Sequence, residues 1–286
     1  MKKIGIIDYF IDEWHSNVYT ELFEKANEEL GLDYQISYGY AEIDKEGRLT
    51  TDEWCKKKNI TRCHSIEELC ELSDNILILA PANPERHLKY AQMALPYGKA
   101  TYIDKTFAPD LKTAKEIFEI AQQYGTKIFT SSALRYAEEI AEYSNVKNVI
   151  ITGNGRSLEE YIIHQIEMAV KMTGGQKAES VRVFNQQTQA TIVIRFSNAG
   201  ATLNYSTSKC GFSVDVETES ERCDYKKIEK GTEFYFLLRS ILNFFDSNIE
   251  PVTKNETLAV LSLRDAILKG VEAAYGEKIL VENYTD

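Results

Sequence analysis

Short apolar runs alternate with helical stretches through the first 130 residues, and no other feature constrains the fold of this chain more. Lys3 to Ile7 reads as a strand. Asp12 to Leu30 reads as a helix capped by Asp12, with an apolar stripe of Trp14, Val18, Leu22, Ala26 and Leu30 and a stop at Gly31. Tyr34 to Tyr38 is a second strand. Ala41 to Thr61 is polar and irregular, with helix around Glu53 to Lys58. Ser65 and Glu68 form a capping box opening a helix that runs to Leu72. Ile76 to Leu79 is a buried-type strand, followed by the loop Ala80 to Asn83 and a helix punctuated by Gly98. Thr101 to Ile103, a helix from Leu111 to Tyr124 and a strand from Lys127 to Thr130 complete the series. Repeated strand–helix alternation predicts an α/β, Rossmann-like, doubly wound parallel sheet.

Beyond residue 130 the pattern changes. Asn145 to Thr152 reads as a strand and Leu158 to Thr173 as a helix closed by Gly174-Gly175. Five strands follow: Ser180 to Phe184, Ala190 to Phe196, Ala201 to Ser206, Phe212 to Glu217 and Cys223 to Ile228. Ser197 to Gly200 is a hairpin turn between two of them. Phe234 to Phe245 and Thr257 to Tyr275 are helices. The expected organisation is a nucleotide-binding-type domain over 1–130 and, over 131–286, an α+β domain with an open, mainly antiparallel sheet.

Composition narrows the function. A net charge of −11 argues against nucleic-acid and anionic-membrane partners, which require a basic surface. No apolar run approaches the roughly 20 residues of a membrane helix. Asp8 and Asp12 interrupt the apolar start, so MKKIGIIDYF reads as a first strand and not as a secretory signal. The odd, scattered set Cys55, Cys63, Cys70, Cys210 and Cys223 fits reduced thiols and a cytoplasmic protein. Cys55, Cys63, His64 and Cys70 lie close in sequence but lack a C-x-x-C knuckle, so no metal site is expected.

Residues 76–106, ILILAPANPERHLKYAQMALPYGKATYIDKT, place a lysine at the carboxyl end of a strand, where parallel sheets bind ligands. With His87, Gly98-Lys99 and Asp104-Lys105-Thr106 at matching spacing, this segment resembles the Gfo/Idh/MocA family, the glucose-fructose oxidoreductase and inositol dehydrogenase group. Glu250-Pro251-Val252 leading into a long Ala-rich helix resembles the same family. The resemblance implies an NAD(P)-dependent oxidoreductase that acts on a sugar, polyol or related hydroxyl or keto substrate. It further implies a homodimer or homotetramer paired through the open sheet. In such a protein Lys105 lies beside the nicotinamide and binds the substrate hydroxyl, and His164 exchanges the proton.

The residues themselves allow plainer readings. A lysine at a strand end can simply face solvent. Helical spacing puts Glu160, His164 and Glu167 on one face, which suits a carboxylate-oriented base. Glu160 also stands three residues after Ser157, as a helix cap would, and the row Glu160, His164, Glu167, Lys171 can be a solvated stripe. His15, near the start of the first helix, and Arg135-Tyr136, after the sixth strand, join Glu167 as substrate-contact candidates. His87 opens its helix and packs. Trp14 falls on the apolar stripe.

The cofactor-binding candidates are Asp8, Phe10, Ile11, Tyr38, Ala80, Pro81, Asn83, Asp104 and Lys105. At the first strand–turn–helix the family writes Gly-x-Gly-x-x-Gly, so that backbone amides can approach a pyrophosphate. This chain writes Asp8-Tyr9-Phe10-Ile11-Asp12-Glu13. The second strand carries no ribose-binding acid before Glu42, although Tyr38 could stack on adenine. A family member that binds a sugar-like ligand without a dinucleotide, as a sensor or partner protein, is therefore the alternative expectation. Cofactor-free acid–base chemistry such as epimerisation is a third.

Overall fold

The computed structural model describes residues 1–217, 223–229 and 231–284. The chain forms two compact units, one of residues 1–131 and 234–253 and the other of residues 132–233 and 254–286. Residues 234–253, grouped by sequence with the second domain, thus pack with the first unit.

In the first unit the strands are β1 (Lys2–Asp8), β2 (Tyr34–Ala41), β3 (Thr61–Arg62), β4 (Asn75–Ile78), β5 (Thr101–Ile103) and β6 (Ile128–Phe129). Between them run the helices α1 (Trp14–Glu29), α2 (Thr51–Lys58), α3 (Ile66–Leu72), α4 (His87–Ala94) and α5 (Leu111–Tyr124). The six strands form one parallel sheet in the order β3-β2-β1-β4-β5-β6. Strand order reverses between β1 and β4, and at such a switch point a crevice opens outside the carboxyl ends of the strands.

Helix α1 corrects the sequence reading. Its buried residues are His15, Ser16, Tyr19, Phe23 and Ala26, while Trp14 is 56% exposed. The buried face includes two polar residues because acidic partners receive them, so apolar periodicity misplaces the stripe. The cap is Glu13, not Asp12. Glu13 accepts from Ser16 N, whereas Asp12 accepts from Asn17 Nδ2 and Leu49 N. In α3, Ser65 caps as expected, but Glu68 accepts from His64 N.

Helix α7 (Glu233–Ser247) reaches the first unit through aromatic contacts. Phe244 meets Phe129 edge-on at 4.9 Å, and Phe245 lies 6.4 Å from Tyr34. Close packing of α3 on β1 depends on Gly5, where a Cβ would come within 2.4 Å of Leu69 Cδ2 and 2.5 Å of Ser73 Oγ. Gly5→Ala is expected to lower stability by about 1–3 kcal/mol through overpacking. An unchanged urea midpoint would refute that packing.

The second unit contains β7 (Asn148–Asn154), α6 (Leu158–Met172), β8 (Ala178–Asn185), β9 (Gln189–Phe196), β10 (Gly200–Ser206), β11 (Phe212–Glu217), β12 (Cys223–Ile228), α8 (Lys254–Glu272) and β13 (Lys278–Leu280). Its sheet runs β12-β11-β7-β10-β9-β8-β13. Only the β7–β10 pair is parallel among its described strand pairs. Alternating burial along β9 and β10 gives the sheet one core face, covered by the buried sides of α6 and α8. The two-residue β3 and the three-residue β13 are not among the strands read from the sequence. Among the described residues no helix is long and apolar enough to cross a membrane.

Candidate functional site

At the switch point Asp8 ends β1 with its carboxylate turned inward, 1% exposed. Its Oδ1 accepts from Tyr9 N at 2.7 Å and from Ala80 N at 3.1 Å, and Ser16 Oγ lies 2.7 Å from Oδ2. Ala80 follows β4 with a left-handed backbone, φ 50°. A carboxylate from one strand therefore spans the crevice to the loop after its neighbour. Burial first, and the nearby Glu13 charge second, hold the Asp8 carboxyl well above the usual carboxylate range. Glu13 receives both the N–H and, at 3.1 Å, the hydroxyl of Ser16. Ser16 thus links the two carboxyl groups.

The rest of the turn is also filled from within the unit. Ile11 is buried, with its Cδ1 3.0 Å from where a Cβ on Gly39 would stand, and Phe10 lies under Lys45 Nζ at 4.1 Å. Arg86 stacks over Tyr9 at 4.8 Å. Past β2, Glu42 accepts from Tyr90 OH at 2.8 Å and pairs with Lys89 at 3.0 Å and Arg86 at 3.2 Å. Against the cost of burial, these partners hold Glu42 below its ordinary range. Tyr38 does not reach the strand end to stack on a ligand. Its ring is buried in β2 and its hydroxyl accepts from Lys3 Nζ at 3.1 Å.

A second group gathers at the carboxyl end of β5. Asp104 is fully buried. Its Oδ2 pairs with His15 Nδ1, and its Oδ1 accepts from Lys105 N at 2.9 Å and Tyr102 OH at 3.0 Å. Burial alone would raise this carboxyl, but His15 and Lys105 hold it below the usual range. Burial and then the Asp104 charge push the Tyr19 and Tyr102 phenols well up, so both stay protonated. His15 sits among the rings of Trp14, Tyr19 and Phe234. Lys105 is half-buried; among the described residues its ammonium makes one hydrogen bond, to Pro81 O at 3.3 Å. Asn83 donates to Glu85. His87 is buried with its two ring nitrogens facing Phe107 O and Leu79 O, a packing role as expected.

In the second unit His164 is half-buried on α6. Its Nδ1 lies 2.7 Å from Ser132 Oγ, and its ring meets Tyr161 and Phe212. Two expected partners of His164 point elsewhere. Glu160 pairs with Arg156 one turn back, a competition already visible in their i,i+4 spacing. Glu167 is 3% exposed and lies 3.3 Å from Arg135, which also pairs with Glu256. Arg135 and Glu167 therefore satisfy each other and do not present charge to a ligand. Burial outweighs Arg135 and pushes Glu167 up to about 7. Tyr136 is half-buried beside Arg135 in a short 3-10 turn. Ser132, which sequence reasoning missed, orients His164; its only sequence signal is its place just after β6.

Among the cysteines, burial pushes Cys55 and Cys70 up to about 12 and Cys63 up to about 11. Among the described residues no group of three His, Cys, Asp or Glu side chains could hold a metal ion.

The dinucleotide that the resemblance implies does not fit the first turn. A pyrophosphate there needs free amides and open space. Asp8 and Glu13 already take the Tyr9, Ala80 and Ser16 donors, and Phe10 and Ile11 occupy the remaining glycine-type room.

No protein-family model matches this sequence, and no curated protein matches it. Solved structures do. A probable dehydrogenase from Thermotoga maritima is 15% identical, with a TM-score of 0.78 over 98% of both chains. GenD2 from gentamicin A biosynthesis, in complex with NAD, is 13% identical, with a TM-score of 0.77 over 99% of this chain and 97% of its own. The UDP-N-acetylglucosamine 3-dehydrogenase GnnA from Acidithiobacillus ferrooxidans is 16% identical, with a TM-score of 0.77 over 95% of this chain and 98% of its own. At these identities the likeness is one of architecture, and it extends over nearly the whole length of each protein. A six-stranded parallel sheet paired in sequence with a mainly antiparallel mixed sheet gives this chain the two-domain fold of the Gfo/Idh/MocA-type dehydrogenases.

Proposed function

We propose that the chain is an oxidoreductase acting at a hydroxyl or keto carbon of a sugar- or polyol-like small molecule. The observation that carries this reading is the group at the end of β5. There a fully buried, His15-paired Asp104 fixes the backbone of Lys105. An ammonium has three donors, and among the described residues Pro81 O takes one, which leaves two for a substrate oxygen. The dehydrogenase neighbours support the reaction class. GnnA and GenD2 support a sugar-type substrate and a nicotinamide carrier. In this reading Lys105 binds and polarises the reacting oxygen, and His164, oriented by Ser132, handles a proton.

The test is nicotinamide absorbance in a panel of sugars and polyols with NAD and NADP. Lys105→Ala and His164→Ala are each expected to lower turnover by roughly 10²–10⁴-fold while changing nicotinamide affinity far less. Turnover within threefold of wild type in both variants would remove both residues from the chemistry. Silence of the wild-type protein across the panel with both carriers would count against the reaction class.

A further inference from the structure

We infer that the adenosine-diphosphate half of a dinucleotide has no anchor in the first unit, because the chain's own side chains already make the contacts such an anchor requires. Three places carry this. At the carboxyl end of β1, Asp8 Oδ1 takes the Tyr9 and Ala80 amides across the switch point, the role a phosphate oxygen plays when it sits in such a crevice. At the start of α1, Glu13 caps the helix through Ser16 N, so the amide that would face an anion is taken. Past β2, Glu42, the first acid after that strand, is engaged by Tyr90, Lys89 and Arg86.

Charge adds to occupancy. Like charges repel, and more strongly beside a protein surface than in bulk water. Asp12 and Glu13 lie in the turn where a doubly negative pyrophosphate would come to rest. Arg86 and Lys89 are paired with Glu42, and Lys45 lies over the Phe10 ring.

The inference concerns how a nicotinamide ligand is held and stands independently of the substrate reading. It predicts that the reduced mononucleotide, NMNH, binds the full chain about as tightly as NADH or NADPH. It also predicts that ADP-ribose neither competes nor shifts the melting temperature. Isothermal titration of the wild-type protein with NADH, NADPH, NMNH and ADP-ribose reads both. Affinities of NADH and NMNH within tenfold, with ADP-ribose silent, support the inference and leave the oxidoreductase reading intact. No binding by any of the four ligands supports the inference while removing a nicotinamide carrier from that reading. NADH or NADPH binding more than tenfold tighter than NMNH, or ADP-ribose displacing either, overturns the inference and leaves the reaction class untouched.

Discussion

Arg135→Ala is expected to destabilise the second unit by about 3–5 kcal/mol at pH 8, since removing one member of a buried ion cluster leaves uncompensated charge. Arg135 is 7% exposed and lies between Glu167, itself 3% exposed, and Glu256. Three segments 32 and 121 residues apart in the chain meet at this guanidinium. Without it the buried Glu167 carboxyl loses the guanidinium that pairs with it. The loss should depend on pH, and the sign follows from Glu167. Its folded value, raised from 4.5 to about 7, means the native state keeps a proton that the unfolded chain releases across that window. Stability from this group is therefore present below pH 4.5 and declines as pH rises through 7. Below pH 6 Glu167 is largely neutral, so the variant should lose less there. Adding Glu167→Gln to Arg135→Ala should recover part of the loss at pH 8. Urea denaturation at pH 5.5 and 8 reads all of this. A loss under about 1 kcal/mol at pH 8, or an equal loss at both pH values, is incompatible with a buried charge cluster.

Legibility differed between levels of structure for physical reasons. Strand–helix alternation survives in any one sequence because buried parallel strands must be apolar and their connecting helices must be amphipathic. The order and most bounds of the elements followed from that. The α1 stripe did not, because His15 and Ser16 are buried by hydrogen bonds to Asp104 and Asp8, and hydropathy carries no record of partners 89 and 8 residues away. The placement of residues 234–253 failed for a similar reason. Phe244 and Phe245 are apolar in either unit, and only their contacts with Phe129 and Tyr34 assign them. Within the site, the acids that replace glycines were plain in the sequence, and so was the conflict with a phosphate. That Asp8 reaches across to Ala80 was not, since the bond spans 72 residues. The Glu160–Arg156 pair was available from spacing alone.

Asp8→Asn is expected to raise stability at pH 8 by more than it does at pH 5. In the wild-type protein Asp8 holds a raised carboxyl pKa, by burial first and Glu13 second. The native state therefore retains a proton that the unfolded chain gives up above about pH 4. Stability from Asp8 is full below that value and declines as pH climbs toward the folded pKa. Asparagine reproduces the protonated form. Its Oδ1 can keep the Tyr9 and Ala80 amides, and its Nδ2 can donate to Ser16 Oγ, which is then free to donate to Glu13. The variant should lack the wild-type decline. A melting-temperature gain at pH 8 exceeding that at pH 5 by more than about 2 °C corresponds to roughly 1 kcal/mol for a domain of ordinary size. Asp8→Ala separates charge from bonding. It also removes the charge but strands the Tyr9 and Ala80 amides, so it should destabilise at both pH values by about 1–3 kcal/mol or more. If asparagine and alanine behave alike, the Asp8 carboxyl is not the group that closes this crevice. If asparagine alone is tolerated, the turn is held together by hydrogen bonds in the geometry a phosphate would otherwise need.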